Sequence, residues 1–161
     1  MKTMAWKTRF TKQFPATLPI MGAPMAGVSG GSLAVETCRA GTLGFIAAGH
    51  LTTQSSLQKL EEQIQIFRAA STETTPLCIG WIGYSSFNQQ NDGFKIFEEV
   101  LKKHNPSVVQ FFAPSISIDK STGKSNVEIA KEHNAKVLLQ VRQKNLCQLV
   151  FLFPSLYQIP L

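Results

Sequence analysis

Cysteine is scarce: Cys38, Cys78 and Cys147 are three in 161 residues, far apart and in no Cys-x-x-Cys pair. An odd number at such spacing argues against a disulfide framework and against a zinc site, and points to a reducing compartment, so a cytoplasmic location is expected. Long hydrophobic runs are also missing. No stretch reaches the roughly 18 apolar residues of a membrane span, and the nearest, LVFLFPSLYQIPL in the tail, is broken by Pro154. The first twelve residues hold Lys2, Lys7, Arg9 and Lys12 without an acid. They lack the apolar centre of a secretory signal, which leaves a basic arm, with a short mitochondrial presequence as the alternative reading.

Acidic residues are absent from both ends, and this explains the net charge of +6. Setting aside the four N-terminal bases with Arg142 and Lys144 leaves ten bases against ten acids in between. The body of the protein is neutral, which gives little support to a nucleic-acid face. His50, His104 and His133 have no metal-ligand spacing, so no metal site is expected. Two phosphate motifs fall short. In SIDKSTGKSN, Ile118 stands where a P-loop needs its first glycine, and Ser29 stands where the dinucleotide fingerprint after Gly27 needs its second.

What remains is a regular alternation. Apolar runs begin at Pro19, Leu43, Leu77, Val108 and Val137, with starts 24 to 34 residues apart. Between them lie helical patterns: Leu57, Leu60, Ile64 and Phe67 behind a Thr52/Thr53 cap, and Phe94, Phe97 and Leu101 behind Asp92. Gly41 sits where a glycine ends the helix that starts near Gly30, and Ser125 or Asn126 caps one ending near Asn134. Runs that are continuously apolar are strands of a parallel sheet covered on both faces. A unit of about 30 residues fits a (β/α)8 barrel, whereas 161 residues fit an open doubly wound sheet on length, so periodicity leaves both standing. In either, strand C-terminal ends carry the site, and there His50 would share a rim with Met25, Trp81 and Gln110.

Three blocks then narrow the choice. TRFTKQF (Thr8 to Phe14), LPIMGAPMAGVSGGSLA (Leu18 to Ala34) and AGTLGFIAAGH (Ala40 to His50) resemble the start of the nitronate monooxygenase (2-nitropropane dioxygenase) family. The likeness continues more loosely through LCIGWIGY, PSVVQFFAP and AKVLLQV, and covers about residues 8 to 141. The resemblance implies a (β/α)8 TIM-barrel fold, cut short after about five strands, holding FMN and oxidising alkyl nitronates with molecular oxygen. It implies that Ala23, Pro24, Met25 and Ala26 form a low floor for the flavin ring, with Gly80, Trp81 and Gln140 as further cofactor contacts. A buried amide such as Gln140 in VLLQV, or Gln110 in VVQFF, also needs a partner on physical grounds, which a ligand or the backbone can supply.

The likeness stops after Val141. The family's AQG…EAGGH segment, which supplies its catalytic histidine, and its later phosphate-binding glycine loops have no counterpart, and RQKNLCQLVFLFPSLYQIPL follows instead. No residue is therefore assigned the catalytic role. The expected organisation is residues 1–141 as the N-terminal half of the barrel and 142–161 as a divergent apolar tail, which reads like an altered reading frame or an intron. The alternatives are an inactive product or interaction partner, with self-association through an open barrel edge, and a barrel like the flavin enoyl-acyl-carrier-protein reductases.

Overall fold

The computed structural model describes residues 6–49, 53–87, 92–113, 116–143 and 146–150. In chain order the elements are α1 (Arg9–Gln13), α2 (Gly31–Arg39), β1 (Phe45–Ala47), α3 (Gln54–Ala70), β2 (Cys78–Ile82), α4 (Gly83–Ser86), α5 (Gly93–His104), β3 (Val108–Phe112), α6 (Asn126–Glu132), β4 (Lys136–Gln143) and β5 (Leu146–Val150). The strands form one sheet in the order β1-β2-β3-β4-β5. Neighbours from β1 to β4 run parallel, each pair joined through helix, while β5 returns antiparallel to β4.

Local chemistry sets the helix ends where the sequence pattern expects them. Thr53 caps α3 and Ser125 caps α6, each in a reciprocal capping box. Gly41 follows α2 at φ +85°, a left-handed conformation that glycine adopts without Cβ strain.

The strands read as unbroken apolar runs because both sheet faces are covered. Ile46, Ile79, Trp81, Val109, Phe111, Val137 and Leu139 pack with Leu57, Leu60, Ile64 and Phe67 of α3, Phe97 and Leu101 of α5, and Val127 and Ile129 of α6. Phe97 is the centre of an aromatic cluster, with ring centroids 4.9 Å from Trp81, 5.3 Å from Phe87 and 5.6 Å from Phe111. On the opposite face Phe45, Cys78, Val108 and Leu138 join Leu43 and Phe14 in a second, smaller core. The residue after α1, Phe14, plugs this face at the strands' N-terminal end.

Two features depart from the expected strand set. The run from Pro19 is not a strand but a single parallel bridge, Met21 to Leu43, with Gly22 N–H donating to Leu43 O at 2.7 Å and Leu43 N–H to Ile20 O at 3.1 Å. Pro19 and Pro24 carry no N–H and bracket this short pairing on either side. At the other edge, β4 runs through the boundary expected at Val141, and β5 pairs with it from Leu139↔Val150 to Gln143↔Leu146. The edge of β4 is thereby covered.

α3 and α5 are clamped by a charged cluster. The Glu61 carboxylate accepts from His104 Nε2 at 2.7 Å and Lys103 Nζ at 3.0 Å, and the Arg68 guanidinium donates to His104 O at 3.1 Å. Burial pushes the Glu61 carboxyl upward, but the hydrogen bonds and charges of His104 and Lys103 together outweigh it and hold the group below the usual carboxylate range. A depressed folded-state value means that this clamp stabilises the protein fully above the unfolded carboxyl pKa, and that the contribution is lost as pH falls through the folded value. We expect Glu61→Gln to lower Tm at neutral pH and to narrow its gap to wild type below about pH 4. A constant gap across an acid titration of Tm would contradict this. Among the described residues no helix is long and apolar enough to cross a membrane.

Candidate functional site

Beyond the smaller core, toward the C-terminal ends of the strands, small and polar residues join large apolar ones on its face. Ala47, Gly80, Gln110 and Leu138 lie in one register row, and Ile82, Phe112 and Gln140 in the next row on that face. Gln110 is buried at 3% exposure. Its Nε2 donates to Gln140 Oε1 at 3.2 Å, a diagonal contact between neighbouring strands. Its Oε1 is buried and has no hydrogen-bond partner among the described residues. A carbonyl left in that state costs about 1–3 kcal/mol, so the arrangement favours a molecule that brings a donor.

The loop from Ala23 to Ser29 closes over the same face. A Cβ added at Gly80 would lie 2.4 Å from Pro24 Cγ, so the absence of a side chain is what lets the proline ring settle on β2. Ser29, buried at 5% exposure, staples the loop: Met25 N–H donates to its hydroxyl at 3.0 Å, and the hydroxyl donates to Ala23 O at 2.8 Å. Ala47 N–H then donates to Ser29 O at 2.9 Å and ties the staple to β1. With the loop fixed in this way, Ala23, Met25 and Ala26 stay exposed while Pro24 is half-buried. The result is a shallow platform of small side chains and one thioether beside an unsatisfied buried amide.

The positions singled out by sequence are therefore only partly together. Ala23, Pro24, Met25, Ala26, Gly80 and Gln140 belong to this platform or its face. Trp81 has its indole in the helix-side core, 2% exposed and edge-on to Phe97. Consecutive strand residues point to opposite faces, so the Trp81 side chain lies on the face away from the one that Gly80 leaves open. The shared rim expected for Trp81 and Gln110 fails for the same reason, and His50 lies outside the described residues. Ser29 escaped sequence reasoning as a structural lock, although a lone hydroxyl within a glycine-rich turn is itself a signal for such a hydrogen bond. Next to the site, Ala113 ends β3 at φ +45°, a left-handed conformation costly for alanine, and its carbonyl accepts from Tyr84 N–H at 2.9 Å.

The near P-loop is a self-contained turn. The Asp119 carboxylate accepts from Ser121 N–H, Ser121 Oγ and Thr122 Oγ1 at 2.8–2.9 Å, and Lys124 pairs with Glu132 at 2.7 Å. A second concavity of about 440 Å³ adjoins Gly27, Gly30, Lys59 and Gln63 at the start of α2, where Gln63 Oε1 already accepts from Gly31 N–H at 2.9 Å.

With this geometry in hand, comparison with solved structures places the fold. A methionine-to-alanine variant of FabK from Thermotoga maritima superposes with a TM-score of 0.64 at 21% identity, over 86% of this chain and 40% of that one. FabK from Thermotoga maritima itself gives a TM-score of 0.61 at 21% identity, over 84% and 38%. Nitroalkane oxidase from Streptomyces ansochromogenes gives 0.57 at 21% identity, over 79% and 41%. The fold is of the TIM-barrel type. The barrel is thus chosen over the open doubly wound sheet, and the chain spans about 40% of the length of these structures. No protein-family model matches the chain, and no curated protein matches it in sequence.

Proposed function

We propose that this chain provides the flavin-facing part of an FMN-dependent oxidoreductase that oxidises alkyl nitronates with molecular oxygen. The observation that carries the reading is the buried, unpartnered Gln110 Oε1 beside a platform that Gly80 keeps low. The residues fit a broad planar ring. Ala23 and Ala26 add little bulk, Pro24 fixes the height of the loop on β2, Met25 offers a polarizable thioether, and Gln140 fixes the neighbouring amide. Bound FMN would supply the electron transfer from nitronate to oxygen; the chain's own part is to bind and orient the ring and to keep water from one of its faces. Residues 1–141 carry this role in the proposal, and 142–161 form a segment of separate origin that contributes β5.

Equilibrium titration of the full chain with FMN is expected to quench flavin fluorescence and to raise Tm. A fusion of residues 1–141 to the C-terminal half of a nitronate monooxygenase is expected to take up oxygen when a nitronate is added. Absence of flavin binding by the chain would defeat the cofactor assignment. Flavin binding by both proteins without nitronate-dependent oxygen uptake by the fusion would defeat the substrate assignment and favour a reductase of the FabK kind.

A further inference from the structure

We propose that Gln63 of α3 is a positioning residue for the platform: by capping α2 from the neighbouring helix, it sets the loop that carries Met25. The consequence for flavin rests on the reading above, whereas the positioning does not.

α2 has no side-chain cap of its own. Its N-cap residue is Gly30, and Gln63 Oε1 fills the gap by accepting from Gly31 N–H at 2.9 Å. A main-chain N–H can only donate, so this bond fixes the Gln63 amide with its oxygen toward α2. Close approach of the two helices makes the bond possible. A Cβ at Gly31 would collide with Gln63 O and lie 2.8 Å from Phe67 N, and one at Gly30 would collide with Gln63 Oε1. These two glycines of the VSGG turn are therefore required by α3 and not by a ligand.

The anchored turn is continuous with the platform. Gly30 N–H donates to Val28 O at 3.0 Å, and Val28 N–H and Ser29 N–H donate to Met25 O at 3.1 and 2.8 Å. The Ser29 hydroxyl in turn holds Met25 N–H and Ala23 O. Packing along this turn is thin. The concavity of about 440 Å³ runs along Gly27, Val28, Ser29 and Gly30, Val28 is 62% exposed, and nothing lies within 4 Å of a Cβ built at Gly27. Among the described residues, this end of the loop is thus held by hydrogen bonds at two points, Ala47 N–H on Ser29 O and Gln63 Oε1 on Gly31 N–H. Release of the second lets the turn shift, and the bonds from Ser29 pass that shift to Met25.

Amide hydrogen exchange on the ligand-free full chain tests the positioning. In Gln63→Leu, which keeps the bulk and removes the acceptor, Met25 N–H is expected to exchange roughly tenfold faster than in wild type. Gln63→Glu keeps an acceptor at the same reach and is expected to restore the protection of Met25. FMN affinity is expected to follow the same order, roughly tenfold weaker in Gln63→Leu and recovered in Gln63→Glu. Glu61→Gln, which loosens the same helix from α5, is expected to lower Tm without changing FMN affinity. Unchanged exchange at Met25 in Gln63→Leu would overturn the proposal, including the case in which only Ile79 N–H in the core of β2 accelerates, which reports a role in overall stability alone. If Gln63→Leu does not fold, Gln63→Ala takes its place, with the same outcomes at Met25. Faster exchange at Met25 with wild-type FMN affinity would overturn the link from Gln63 to the flavin. Failure of wild type to bind FMN would overturn the flavin reading, and exchange at Met25 would still decide the role of Gln63.

Discussion

Phe97→Ala is expected to cost about 3–5 kcal/mol of unfolding free energy, a large part of what holds a domain of this size together. The side chain is fully buried and touches three other rings, so its removal takes away the transfer free energy of a phenyl group and also the edge-to-face contacts with Trp81, Phe87 and Phe111. Those rings come from β2, β3 and the segment after α4. They cannot collapse into the space together without moving the sheet against α5. Phe94, on the same helix but only partly buried and in contact with Phe87 at 4.9 Å, is the internal control and should cost distinctly less. Urea denaturation of the two variants measures the difference, and a Phe97→Ala loss below about 1 kcal/mol would show that the cluster is not the centre of the core.

Gly80→Ala is expected to act on the site rather than on the core. The new methyl would meet the Pro24 ring at 2.4 and 2.5 Å, so one of them has to move, and the loop can move more readily than a strand paired on both sides. Overpacking of this kind costs about 1–3 kcal/mol, which corresponds to about a ten- to hundredfold loss of FMN affinity if lifting the loop relieves it. The same variant should show a much smaller change in Tm than Phe97→Ala. Pro24→Gly in the Gly80→Ala background opens the contested space and should recover part of the affinity. Wild-type flavin affinity in Gly80→Ala would mean that the height of the platform is irrelevant to binding.

How much of this was legible in the residues depends on which force fixed each part. Strand and helix positions followed from apolar periodicity and caps, because burial and unsatisfied helix amides act locally. The strand expected at Pro19 shrank to one bridge between Pro19 and Pro24, two residues without an N–H that apolar pattern ignores. Trp81 was grouped with Gly80 by the resemblance of the third strand's end, although alternation along a strand sends its indole to the other face. The Gln110–Gln140 contact joins residues 30 apart and depends on register, which no local pattern specifies. The apolar tail gave no period at all, yet Leu146–Val150 within it form β5.

That last strand carries a consequence for the polarity of the molecule. β1 to β4 all deliver their C-terminal ends to the rim where the platform lies, whereas β5 starts beside that rim, at Leu146 opposite Gln143, and ends at Val150 opposite Leu139. The chain therefore enters its final paired strand from the ligand side and leaves it toward the opposite end of the sheet. The boundary of the rim at this edge is therefore set by main-chain pairing and the direction of the backbone.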